Sequence, residues 1–353
     1  MDLKYIINQY FPSKRVSDVS IFGNGHINST YKVKLDGISQ EYILQRINTN
    51  VFTSPNDLIQ NHLKIQSHLY SQKQNIEVPE LVGRNSKSHL YIDEDGEAWR
   101  MMNFIKDSYS IEVLENENQA FEAGKGYGWF LGACSQLDTS EFKEAIKDFH
   151  KLSNRINQLN DAIKSNVVNR LVSVQDIIDF YLKRVKSLLE IEKLIGNSEI
   201  PLRVVHNDTK INNLLFKDEK AIAVIDLDTV GPGVVLNDFG DAVRTLTNTA
   251  AEDEQNLELV NFNIEAFESF AKGYLQQTRS ILNQKEKELL FKSPILMTYI
   301  MGIRFLADFL NGDIYYKTNF DNHNLVRSLV QKRLIEQMEQ NQDKMKQIIK
   351  DIN

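Results

Sequence analysis

The sequence predicts an α+β chain in two lobes: a small antiparallel sheet lobe carrying one helix, then a larger, mainly helical lobe with one embedded hairpin. Two observations predict it. Over the first hundred residues, short runs rich in β-branched and aromatic side chains alternate with hairpin-grade turns. Beyond Phe104 helical periodicity takes over, and a strand-rich island from Leu202 to Val235 interrupts it once. The expected division is therefore 1–104 and 105–353, with a cleft between.

In order, strand composition marks 20–23, 30–35, 41–47, 89–92 and 98–102. Gly23-Asn24-Gly25, Asp36-Gly37 and Asp93–Gly96 supply the turns between strands. One helix is expected over 54–72, with Ser54 as cap and Pro55 at its first position. Amphipathic helices follow at 119–138, 140–164, 172–195, 256–283, 285–310 and 324–351. The charge-rich face of the last reads as solvated surface.

With 353 residues, each lobe has enough chain for its own core. The hydrophobic share of 42% and charged share of 25% are ordinary for a globular protein. A net charge of −7 leaves no electrostatic footprint for nucleic acid or an anionic membrane. MDLKYIINQYFPSKR lacks an apolar stretch of signal-peptide length, and no run of 18 apolar residues occurs. The single cysteine, Cys134, has no internal disulfide partner and reads as core packing. A cytoplasmic protein is expected.

The chemistry concentrates in 204–228, VVHNDTKINNLLFKDEKAIAVIDLD. A hairpin of LLF, KDEK and AIAVI brings Asn213 and Asp226 to one end of a sheet, with Asp208 on the loop beside them. Mg²⁺ takes oxygen ligands, few of them from protein, and Asn213 with Asp226 would supply those. Asp208 would be free to accept a proton. As a plain surface hairpin, the same residues would only cap turns. A metal hydrolase built on His206 has less support, since the seven histidines show no ligand spacing.

The pattern His206-x-Asp208-x4-Asn213, then an apolar strand ending in Asp226, resembles the aminoglycoside phosphotransferase and choline kinase superfamily. The resemblance implies a protein-kinase-like fold, with ATP and Mg²⁺ as cofactors. By that likeness Asp208 is the catalytic base and Asn213 and Asp226 hold the metal. Lys210 falls where protein kinases carry a phosphate-directed lysine, though a solvated lysine fits equally, and His206 organises the loop. The turn from Phe22 to Tyr31 resembles the phosphate-covering loop, so Gly23, Asn24, Gly25 and Thr30 are nucleotide-binding candidates. The third strand, EYILQRIN, places Gln45 or Arg46 at the usual lysine position, and Arg46 is taken as the nucleotide contact. The helix over 54–72 contains Asp57 but no glutamate for the familiar ion pair. Arg100–Ile105 resembles the hinge, with Met102 and Phe104 beside adenine.

Further runs, IDLDTV, DFGDAVR and RFLADFLNGDIYY, resemble the N-acetylhexosamine 1-kinase branch. This implies phosphorylation of the anomeric hydroxyl of N-acetylglucosamine or N-acetylgalactosamine, with the sugar and the nucleotide as partners. Asp228, expected on the strand face of Asp226, and Arg304 and Tyr316, on one helix with Asp308, are the substrate candidates. Asp238 is expected to brace the catalytic loop, with Arg244 as its ion-pair partner. An amino alcohol, an aminoglycoside or homoserine is the alternative acceptor. A nucleotide-binding regulator without catalysis is the reading from another class.

Overall fold

The computed structural model describes residues 2–23, 27–71, 76–84 and 88–352. The chain opens with a helix not expected from the sequence, α1 (Leu3–Tyr10), whose first turn is capped by the Asp2 carboxylate accepting from Lys4 N–H. Then come β1 (Val16–Ile21), β2 (Ser29–Leu35), β3 (Tyr42–Ile47), α2 (Pro55–Tyr70), β4 (Leu90–Ile92) and β5 (Ala98–Asn103). The five strands form one antiparallel sheet in the order β1-β2-β3-β5-β4.

Strand alternation gives this sheet two different faces. Tyr42, Leu44, Trp99 and Met101 pack with Ile6, Ile7 and Tyr10 of α1. Ile43 and Met102 pack with Ile59 of α2 on the other face. Because Gln45 shares parity with Ile43 and lies opposite Arg100, both project on the α2 face. Arg46 projects on the α1 side.

The second lobe contains β6 (Tyr109–Ser110), α3 (Glu117–Cys134), α4 (Leu152–Ser165), α5 (Gln175–Leu182) and α6 (Val185–Gly196). The island follows as β7 (Arg203–Val205), β8 (Leu214–Lys217), β9 (Lys220–Val224) and β10 (Gly231–Gly233). The remainder is α7 (Val235–Leu246), α8 (Ile264–Thr278), α9 (Gln284–Leu289), α10 (Ser293–Leu310), α11 (His323–Gln340) and α12 (Gln342–Ile352). β8 and β9 make the expected hairpin, β6 extends it, and β10 pairs with β7.

Several expected helices are shorter or divided. The stretch expected as a helix over 140–164 becomes helical only from Leu152, and that over 256–283 only from Ile264, where Asn263 caps it. The helix expected over 172–195 breaks between Leu182 and Val185. The helix expected over 285–310 does end at Leu310, but Tyr316, expected on one helix with Arg304, lies beyond it, because Gly312 (φ 92°) and Asp313 (φ 61°) adopt left-handed backbone.

Helix packing is close where side chains are absent. A Cβ on Gly124 would sit 2.1 Å from the Phe270 carbonyl oxygen, so α3 and α8 approach backbone to backbone. Gln284–Leu310, which spans α9 and α10, is apolar and long enough to cross a membrane by composition, yet 78% of its most apolar 18-residue window is buried inside the fold, most of it in α10. α10 is the central core helix of the second lobe, packed on α7, α11 and α4.

Candidate active site

The strand pair β7/β10 and the hairpin β8/β9 place the loop from His206 to Asn213 beside the turn that begins at Asp226. His206 is buried and, with burial lowering its pKa, neutral. Its Nε2–H donates to the Ile225 carbonyl at 2.9 Å, leaving Nδ1 to accept the Asp208 N–H at 3.3 Å. The Ile225 N–H in turn donates to the Asn213 carbonyl at 2.9 Å. Thus the base candidate and both metal-ligand candidates are tied together through main chain.

Asp238, at the start of α7, braces this loop from below. Its two carboxylate oxygens accept the N–H groups of His206 and Asn207, each at 2.8 Å, and its carbonyl accepts from Thr209 Oγ1 at 2.6 Å. Burial nevertheless pushes its carboxyl up to about 7. The expected Arg244 partnership does not occur. Arg244 lies two turns further along α7, where it pairs with Asp241 and Glu252.

Asp208 accepts from Lys210 Nζ at 3.0 Å and from Asn213 Nδ2 at 3.1 Å. Burial raises its pKa, but the charge and hydrogen bond of Lys210 and the Asn213 amide outweigh that, so Asp208 is held below the ordinary carboxylate range. It is ionised at neutral pH, as a proton acceptor must be. Lys210 is thereby raised, with its side chain half exposed.

Asn213 spends its amide nitrogen on Asp208, so its oxygen is left for another ligand. Asp226 follows the β9 strand in left-handed backbone (φ 58°). Burial, then the charges of Asp228 and Asp208, push its carboxyl up to about 7. A carboxylate open to the cleft and crowded by the charges of Asp228 and Asp208, beside a free amide oxygen, suits a hard divalent cation. Among the described residues no group of three His, Cys, Asp or Glu converges on a metal position. A cation here would draw its remaining ligands from phosphate and water.

Asp228 departs from expectation. It lies in a one-turn 3₁₀ segment, Leu227–Thr229, and not on a strand face, and it is buried. One oxygen forms an ion pair with Arg100 Nη1, and the other accepts from Asn28 Nδ2 at 2.7 Å. Both are committed to the sheet lobe, so Asp228 is not presented to an acceptor.

The nucleotide candidates divide. Gly23, two residues beyond β1, has φ 76° in open space, a conformation glycine adopts without penalty. Asn24 and Gly25 lie outside the described residues. Thr30 accepts from Gln45 Nε2 at 3.0 Å on the α2 face. Arg46 is corrected: strand parity turns it to the other face, where it meets Glu97 at 3.6 Å and Ser29. Met102 is also corrected, since it is buried, pairs with Ile43 and bridges to Leu81, leaving no strand edge for adenine. At Phe104 the N–H donates to the Glu41 carbonyl and the C=O accepts from Gln40 Nε2 at 2.9 Å. Its ring lies 3.8 Å beneath Lys32 Nζ and edge-on to Phe22.

On the acceptor side, Arg304 is held between the rings of Phe149 and Tyr316, 5.3 and 5.5 Å from their centroids. Among the described residues it has no carboxylate partner, and its Nη1 contacts only Met301 Sδ at 3.2 Å. Tyr316 is a packing residue here: it meets Phe305 at 4.7 Å, and its buried hydroxyl has no protein partner. Sequence reasoning missed His150, whose Nε2–H donates to the carbonyl of Asn207 at 2.8 Å, and Tyr127, whose hydroxyl donates to the Lys210 carbonyl. A lone histidine and a helix tyrosine carry no spacing signal. Arg100 was missed too, though a charged residue amid AWRMMN was a cue.

The APH family model, described as the phosphotransferase enzyme family, matches residues 18–275. The chain belongs to that family. Among solved structures it is similar to a choline kinase from Cryptosporidium parvum Iowa II (TM-score 0.63, 13% identity, 97% of each chain). It is also similar to an ADP-bound aminoglycoside phosphotransferase (0.56, 15%, 96% of this chain and 99% of that one). A third is an amicoumacin kinase in complex with AMP-PNP and Ca²⁺ (0.60, 15%, 91% and 88%). At these identities the likeness is one of fold, and it is the expected protein-kinase-like fold. As a family member the chain is a small-molecule kinase.

Proposed function

We propose that this kinase transfers the γ-phosphoryl group of ATP to the anomeric hydroxyl of an N-acetylhexosamine, N-acetylglucosamine or N-acetylgalactosamine, giving the sugar 1-phosphate. ATP as donor is supported by the nucleotide-bound relatives of the same fold. Asn213 and Asp226 would hold Mg²⁺, which when bound neutralises charge on the transferring phosphate. Asp208 would orient the sugar hydroxyl and take its proton, and Lys210 would meet the transferring phosphoryl oxygens. Little deprotonation is needed in a loose transition state, so positioning carries most of the rate.

The observation that carries the acceptor class is Arg304. A half-buried guanidinium with no carboxylate partner among the described residues suits an acceptor that brings a carbonyl oxygen, such as an acetamido group, and repels an ammonium. Arg304 stacks on Phe149, whose ring lies 4.2 Å from that of His150, and His150 donates to the Asn207 carbonyl of the catalytic loop, in keeping with an Arg304 beside that loop. The test is phosphorus NMR of products after incubation with Mg·ATP and a panel of N-acetylhexosamines, choline, 1-amino-2-propanol, homoserine and an aminoglycoside. An anomeric phosphate from the N-acetyl sugars is expected. Turnover of only the cationic acceptors would refute the assignment.

A further inference from the structure

We propose that the buried Arg100–Asp228 ion pair, together with Asn28, positions the metal-side turn at Asp226 against the sheet lobe, so that Mg·nucleotide binding draws on both lobes at once. The sheet lobe offers no lysine on β3 and no glutamate in α2. What it offers is a chain of bonds through one carboxylate. Gln45, at the β3 position in question, uses Oε1 to accept from Arg100 Nε and Nη2 at 2.9 and 2.7 Å, and its Nε2 donates to Thr30. That leaves Arg100 Nη1 aimed across the cleft at Asp228, two residues beyond Asp226. Asn28, just after the turn between β1 and β2, donates to the other Asp228 oxygen, and its own Oδ1 accepts the Asn48 N–H at 3.0 Å.

Arg100 and Asp228 are 2% and 3% exposed, so each depends on the other for charge balance. A buried pair of this kind is weak evidence for stability and better suited to fixing geometry. α2 is tied to the second lobe by a different contact: Asn61 Nδ2 donates to the carbonyls of Lys143 and Val230 at 2.8 and 3.0 Å. The helix therefore stays docked with the pair removed, and the pair is left to link β2, β3 and β5 to the Asp226 turn. Arg100, Asn28 and Asp228 are positioning residues, since none is placed against the reacting atoms.

The test uses the full chain and nucleotide without acceptor, so its outcome does not depend on which hydroxyl is phosphorylated. Binding of ADP is measured by calorimetry with Mg²⁺ and again with EDTA, alongside melting curves. Asn28→Ala removes one neutral donor and leaves the buried Arg100–Asp228 pair intact; about 5- to 30-fold weaker Mg·ADP binding is expected, within the usual range of coupling between sites, with the melting temperature little changed. In the double variant Arg100→Met with Asp228→Asn, the loss is expected with Mg²⁺ and absent in EDTA. A merely structural role lowers melting and leaves Mg·ADP affinity alone. Wild-type Mg·ADP affinity in folded Asn28→Ala overturns the inference, whatever the double variant does.

Discussion

At the residue scale, Asp208 and Asp238 show how one buried acidic cluster is divided into different tasks. Lys210 and Asn213 keep Asp208 ionised, so it can take a proton near neutral pH. Asp208→Asn is expected to lower kcat by about 10²- to 10⁴-fold with the KM for ATP nearly unchanged, measured by steady-state turnover of the N-acetyl sugar. Asp238 has only main-chain donors and a neighbouring Asp241, and burial prevails, raising it to about 7. A carboxyl whose folded pKa exceeds its unfolded value contributes stability that is full below the unfolded value, near 3.8, and is lost as pH rises through about 7. Asp238 should therefore give the parent's melting temperature a downward component between pH 4 and 8, set against the upward one from the buried neutral histidines His62, His150 and His206. In Asp238→Asn that downward component should be lost, on a baseline lowered by about 1–3 kcal/mol, because the new amide nitrogen faces an N–H donor. Parallel pH profiles for the two proteins would remove Asp238 as the source.

At the scale of elements, the turn after α10 is built on one side chain. Asp308 accepts the N–H groups of Ile314, Tyr315 and Tyr316 at 3.0, 2.8 and 2.9 Å, and Asn324 Nδ2 at 2.9 Å. Tyr316, held this way, forms one wall of the Arg304 sandwich. Asp308→Ala should cost about 2–4 kcal/mol in unfolding free energy, since it orphans several donors at once. In the folded fraction it should raise the acceptor KM and leave the ATP KM alone; a rise in both would show that the turn does not act on the acceptor side. None of this was legible beforehand, because helical periodicity runs on through NGDIYY, and only Gly312 with Asp313 marks the break. Where alternation was strong, as in TYKVKL, EYILQRI and the LLF/AIAVI hairpin, strands could be read to within a few residues, and with them the loop of Asp208 and Asn213. Register was not readable, which is why Arg46 and not Gln45 was assigned to the cleft. The helix α7 was hidden in an extended-looking VVLNDFG, and α1 in a stretch read only for targeting signals.

For the whole molecule, the sheet lobe and the helical lobe meet around a cluster of acids, Asp208, Asp226 and Asp228, of which only Asp228 is paired with an arginine. A cation bound at Asn213 and Asp226 would relieve that imbalance, so metal, nucleotide and fold stability should be linked. Ligand present at about 100 times its Kd adds about 2.7 kcal/mol to unfolding. Mg·ADP at that excess should raise the unfolding free energy of the parent chain by this amount, and ADP in EDTA by much less. Asp226→Ala removes both the metal ligand and a carboxylate that the charges of Asp228 and Asp208 oppose. The free variant should therefore melt no lower than the parent at pH 8, where the parent's Asp226 must be charged, while it loses turnover and the Mg²⁺-dependent increment together. A variant that kept the increment would place the metal elsewhere, and the case for Asp208 as the base facing it would have to be rebuilt from different ligands.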